Sequence, residues 1–116
     1  VWHAVAASLG VESIEVHRGG LVGGPWSSLV CFAGRGPGEV FAAGRKLVGV
    51  SQRRTRDWLR VQTAVHRIWD PVRTLAVLDL AADERSRAAA DLADVVATID
   101  VGPDVVLDRF VAHLPD

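Results

Sequence analysis

The chain has 116 residues, enough for one domain around one core and too short for two. At 49% hydrophobic and 23% charged residues its composition is that of a folded domain, and no apolar run approaches the ~20 residues of a membrane helix. The first residues lack a basic start and long apolar middle, so no signal peptide is read and a cytoplasmic protein without membrane contact is expected.

The net charge of -1 conceals three blocks. Residues 1–43 carry two Arg against three Glu, residues 44–73 eight Lys or Arg against two Asp, and residues 74–116 three Arg against nine acids. The middle block suits an anionic group or an acidic protein surface. It lacks the interleaved aromatics and domain-wide basicity of a nucleic-acid binder. The lone cysteine, Cys31, excludes an internal disulfide and fits a reducing compartment. Because the chain starts at Val1 and contains no methionine, we expect a piece of a longer protein.

In chain order, Trp2, Val5, Ala6 and Leu9 fall at helical spacing, and Gly10 is placed to end that helix in a left-handed cap. The alternation in ESIEVH, Glu12–His17, reads as a strand, and SLVCF, residues 28–32, as a short buried strand before glycine-rich AGRGPG. EVFAAGRKLVGVSQRR reads as a hairpin turning at Ala43-Gly44. Strict alternation along its second strand puts Lys46, Val48, Val50 and Gln52 on one face and Leu47, Gly49, Ser51 and Arg53 on the other. DWLRVQTAVHRIW reads as a further strand, entered through a turn near Thr55–Asp57 and ended by Asp70-Pro71.

The remainder is helical in period. Ala88, Leu92, Val95, Val96 and Ile99 form one stripe after a possible Asp83 cap, and Val106, Leu107, Phe110, Val111 and Leu114 form another after Gly102-Pro103. The division is therefore one domain over 1–116, with helix and sheet in 1–70 and a helical segment in 71–116.

Lys46 is the only lysine beside twelve arginines. The preceding glycines do not make a phosphate-binding loop, since no Ser or Thr follows Lys46 and the next element is a strand. Cys31 reads either as a nucleophile with His17 or His66 as base or, more commonly for this residue, as a buried apolar filler. His3, His17, His66 and His113 show no metal-ligand spacing, and no metal is assigned. Gly49, inside a strand beside Lys46, marks a place where a backbone or ligand comes close. A compact charge next to such a glycine has the shape of an anion site.

CFAGRGPGEV followed by GRKLVGVSQRRTR resembles the lysine motif of the lipoate-protein ligase and octanoyltransferase family, a relative of biotin-protein ligases. The residues carrying the resemblance are Cys31-Phe32, Glu39, Gly44-Arg45-Lys46-Leu47, Gly49 and Gln52, within residues 30–56. His17–Gly24 has the glycines of the family's acyl-pocket segment but lacks its paired arginines and serine and sits too near the lysine motif, which implies a C-terminal half of the catalytic domain, inactive alone, with the other half upstream or on a partner chain. The histidine-glycine pair of many members is not matched at Gln62–His66, and no role passes to His66.

The resemblance implies an α+β fold like class II aminoacyl-tRNA synthetases and biotin-protein ligases, a mixed sheet with packed helices. It implies attachment of lipoate or octanoate, through an acyl-adenylate made with ATP and Mg, to a lysine of an acidic lipoyl carrier domain. By carry-over Lys46 is the catalytic charge stabiliser, and Gly44, Arg45, Gly49 and Gln52 bind substrate or adenylate. Arg53, Arg54 and Arg56 are the candidate carrier-docking cluster. Two alternatives accompany this expectation: an ATP-independent octanoyltransferase using a Cys31 thioester, and a non-catalytic homologue serving as a binding subunit.

Overall fold

The hairpin at Ala43-Gly44 organises the molecule. In the computed structural model, which describes residues 1–116, Ala43 and Gly44 both have positive φ, +49° and +78°. This is what a two-residue turn needs for its twist to match that of the flanking strands, and glycine adopts it without a Cβ penalty. The turn joins β2 (Val40–Ala42) to β3 (Arg45–Arg54), with Ala42 opposite Arg45 and Phe41 opposite Lys46. β1 (Ile14–Val16) pairs with the outer edge of β2, and β4 (Leu59–Ala64) pairs with β3. The result is a four-stranded antiparallel sheet in chain order.

Helices cover one face of this sheet. α1 (Trp2–Ser8) ends as its sequence indicates: Gly10 N–H bonds the Ala7 carbonyl and Val11 N–H the Ala6 carbonyl, the paired bonds of a Schellman cap. Ala6 packs with Val40, Ala42, Leu47, Val48 and Ile99 into the first core cluster. α4 (Pro103–Ala112) starts at the expected Gly102-Pro103 and leans on α1 through Phe110 and Trp2, whose rings lie 4.9 Å apart. Of the stripe read on α4, Val106 and Phe110 are partly buried, whereas Leu107, Val111 and Leu114 are exposed.

The second cluster joins α2 (Pro71–Leu75) and α3 (Ala82–Leu92) to the long loop between β1 and β2 through Val30, Leu75, Ala88 and Leu92. Asp70 caps α2 with its carboxylate on Arg73 N–H at 3.1 Å, and Trp69 Nε1–H donates to the Leu92 carbonyl at 2.8 Å. α3 lacks a side-chain cap. Its N-cap is Ala81, and Asp83 sits in the first turn, where its charge complements the helix dipole instead. The architecture is α+β, as expected, and no helix is long and apolar enough to cross a membrane.

Three expectations are corrected. SLVCF is not a strand: Cys31–Ala33 form a short 3-10 turn, with Cys31 exposed and only Val30 buried. The stripe Ala88–Ile99 is not one helix, because α3 stops at Leu92 and the chain then runs extended beside β3. Lys46 N–H donates to the Val95 carbonyl and Ala97 N–H to the Lys46 carbonyl, both at 2.8 Å. These contacts and the His66–Thr98 bridge are parallel, and they are the parallel pairing in an otherwise antiparallel sheet. Val96 and Ile99 are buried, but by strand-like pairing, which a helical period cannot distinguish over so few residues.

The third correction concerns strand phase. Pairing shifts between Val40 and Phe41, so Leu47 is an extra residue opposite them, and Leu47 and Val48 both enter the same core cluster. A bulge of this kind inverts the alternation beyond it. Lys46 therefore shares its face with Gly49 and Ser51, not with Val48 and Val50.

Candidate functional site

On the face opposite α1, the loop between β1 and β2 folds back over β3. The sequence GRGPGE makes a turn in which Glu39 N–H bonds the Gly36 carbonyl at 3.2 Å and the Glu39 carboxylate accepts Gly36 N–H at 2.7 Å. The same carboxylate takes Val50 N–H on Oε1 at 3.2 Å and Lys46 Nζ on Oε2 at 2.7 Å. Lys46 also donates to the Cys31 carbonyl at 3.0 Å. Both side chains of the pair are almost wholly buried, 2% exposed for Lys46 and 9% for Glu39.

Burying an ion pair is costly unless the remaining lone pairs and protons are satisfied. Glu39 meets that condition with three N–H donors. Lys46 does not meet it fully: an ammonium has three donors, and only two have partners here. The third has no hydrogen-bond partner, and Lys46 is among the residues lining a depression of about 840 Å3 between β3 and the loop carrying Ser27, Ser28 and Cys31. A smaller depression of about 310 Å3, reaching to Gln62 and Ala64, adjoins it and shares Cys31, Glu39, Val50 and Ser51 with it.

Phe32 forms the wall between Lys46 and the aromatic cluster behind it. Its ring lies 5.3 Å from Lys46 Nζ, within cation–π range, and 4.5 Å from the His66 ring, edge to face. Gly49 permits this placement. A Cβ there would stand 2.8 Å from Phe32 Cε2, so the close approach anticipated at this glycine is made by the chain's own phenylalanine. Desolvation lowers the His66 pKa below its ordinary 6.5.

Compared with family models, with curated proteins and with solved structures, the chain matches none.

The sequence candidates thus fall into three places. Lys46 and Cys31 come together at the cleft, where Gln52 also lines the wall. Gly44 and Arg45 lie at the hairpin turn away from it: Gly44 offers its carbonyl to Arg35 at 3.0 Å, and Arg45 Nε donates to the Asp94 carbonyl at 3.1 Å. Arg53, Arg54 and Arg56 stand exposed on the β3–β4 ribbon. Cys31, taken as buried in its commoner reading, is exposed on the rim and neighbours neither His17 nor His66 by any hydrogen bond.

Glu39 is the residue whose role sequence reading missed, although a signal existed. With the turn at Ala43-Gly44, Phe41 stands opposite Lys46, and Glu39, two residues before Phe41, falls on the same face. His, Cys, Asp and Glu side chains nowhere gather in threes that would hold a metal ion. The cleft's buried carboxylate, Glu39, is committed to its N–H donors.

Proposed function

We propose that the protein is an acyl-transfer enzyme that attaches lipoate or octanoate, through an acyl-adenylate, to a lysine of an acidic carrier domain, in a fold of the class II synthetase and biotin-protein ligase kind. The observation that carries this reading is the ammonium of Lys46, held by Glu39 and the Cys31 carbonyl on the wall of the cleft, with one N–H that no group of the chain accepts. In this reading the acid's carboxylate accepts that N–H and is oriented for attack on the α-phosphorus of ATP, with pyrophosphate leaving. In the second step the carrier lysine adds to the acyl carbonyl, AMP leaves, and the amine's proton passes to solvent. Lys46 stabilises the oxyanion that develops on the carbonyl, and because it is held in place beforehand it need not reorganise at that moment. The carrier would approach over the ribbon bearing Arg53, Arg54 and Arg56.

The exposure of Cys31 at the same cleft favours one second reading. There its thiolate would attack the thioester of an acylated carrier, expelling that carrier's thiol, and the resulting acyl-cysteine would be opened by the acceptor lysine. No ATP is consumed on this route.

One pair of assays separates them. The full-length protein is incubated with octanoate, ATP and a lipoyl carrier domain, and separately with an octanoylated carrier protein in place of octanoate and ATP; acylation is read by intact mass. The ligase reading expects labelling in the first mixture that survives Cys31→Ser and is lost in Lys46→Ala. Labelling in the second mixture that vanishes with Cys31→Ser establishes the transferase instead. If neither mixture labels the carrier, the acyl-transfer reading is wrong and a non-catalytic binding role takes its place.

A further inference from the structure

From the cleft, whose walls Ser51, Gln52 and Gln62–Ala64 help to form, β3 and β4 run on as a two-stranded arm from Ser51 to Ala64. Every residue of it except the turn residue Thr55 is exposed. Four arginines lie on this arm, Arg53, Arg54, Arg56 and Arg60, and none has a carboxylate within 4.0 Å. Arg53 and Arg60 are direct cross-strand partners. Like charges so placed destabilise a strand pair, and here no carboxylate of the chain lies within ion-pair distance of them, Asp57 in the turn of the arm included.

The arm also has an open edge. Val50 N–H turns away from β4 to the Glu39 carboxylate, so Val50 and Thr63 form a non-hydrogen-bonded pair, and every second residue of β4 repeats that orientation. Leu59, Val61 and Thr63 therefore turn their N–H and C=O groups outward, and β4 is the outer strand of the sheet. Leu59, Val61 and the neighbouring Trp58 add exposed apolar surface to this edge.

From this geometry we infer that the arm is a docking site for an acidic, extended polypeptide segment that adds to the β4 edge as a further strand. Main-chain hydrogen bonds to Leu59, Val61 and Thr63 supply the register, and carboxylates on the incoming strand neutralise Arg60 and Arg53, to which guanidinium forks are geometrically matched. A second copy of this chain is the wrong occupant, because pairing β4 with β4 would bring two arginine-rich arms together. A nucleic acid is also disfavoured: residues 74–116 carry nine acids against three arginines, and the arm offers one exposed aromatic, Trp58, for base stacking.

The inference rests on the arm alone, so peptide binding and acyl-transfer activity can fail separately. The test uses the full chain and a short fluorescent peptide in which Glu alternates with Val and Thr, read by anisotropy. The peptide is expected to bind with an affinity that falls with added salt, while its counterpart with Lys in place of Glu does not bind. N-methylation of alternate peptide bonds should abolish binding.

Arg53→Glu and Arg60→Glu should each weaken binding about tenfold, the worth of one charge-assisted hydrogen bond. Because each substitution removes the like-charge pair, its melting temperature should hold or rise, which separates lost binding from lost fold. Equal binding of the Lys peptide, indifference to both substitutions, or indifference to N-methylation overturns the inference. So does tighter binding of a single-stranded oligonucleotide of the same charge, which would make the arm a nucleic-acid surface.

Discussion

Lys46 Nζ stands 2.7 Å from Glu39 Oε2, and both side chains of the pair are almost wholly buried where they line the cleft. Glu39 arrives there by a tight glycine turn, and Lys46 by its place opposite Phe41 two residues beyond the hairpin turn. Removing one partner leaves a buried charge without compensation, which costs about 3–5 kcal/mol. Glu39→Ala, which also strands the N–H groups of Gly36 and Val50, should lower unfolding stability by at least that amount in urea titrations. Lys46→Met leaves those two hydrogen bonds in place and should cost less. The double variant Glu39→Ala with Lys46→Met should be more stable than the sum of the two single effects implies. Strict additivity would show that the pair is not coupled.

Lys46→Arg should not substitute for lysine. The side chain is 2% exposed and wedged between Phe32, Glu39 and the Cys31 carbonyl, and a planar guanidinium is wider than an ammonium. Overpacking of this kind costs about 1–3 kcal/mol. In carrier acylation assays the arginine variant should be as inactive as Lys46→Ala, and calorimetry should show a lowered melting temperature.

Gly49→Ala tests the contact with Phe32. The new methyl would meet Cε2 at 2.8 Å and Cζ at 3.0 Å, so the ring must shift from its place between Lys46 and His66. A loss of about 1–3 kcal/mol is expected. Adding Phe32→Leu to Gly49→Ala should recover part of it, whereas a cost that is unchanged in the double variant would place the strain elsewhere.

His66 should make stability depend on pH below neutrality. Burial against Phe32 and Trp69 lowers its native pKa from 6.5, so between the lowered value and 6.5 the unfolded chain binds the proton and the native chain does not. Stability from this residue is therefore complete above pH 6.5 and declines as pH falls through that interval. His66→Leu should flatten this part of the pH profile measured by urea unfolding. A wild-type profile that is flat from pH 7 down to 5 would contradict the assignment.

Local chemistry was legible wherever a residue's consequence lies within a few neighbours. Gly10 ends α1, Ala43-Gly44 turns the hairpin, and Gly102-Pro103 opens α4, because backbone dihedrals and capping bonds are properties of adjacent residues. Lys46 stood out by composition alone, and its partner Glu39 was within reach of hairpin register.

What tertiary structure decided is everything that depends on distant chain. Val95–Ile99 could be helix or strand by its own pattern and became extended because the edge of β3 at Lys46 offered hydrogen bonds. Leu47 slipped into a bulge, which carried Gly49 onto the lysine's face, and Phe32 filled the space above that glycine. The sequence by itself determined where the chain turns and which charge is unusual. The fold determined that this charge would be buried beside a carboxylate with one donor unspent, because burial and pairing are set by what packs across the sheet and not by what adjoins along it.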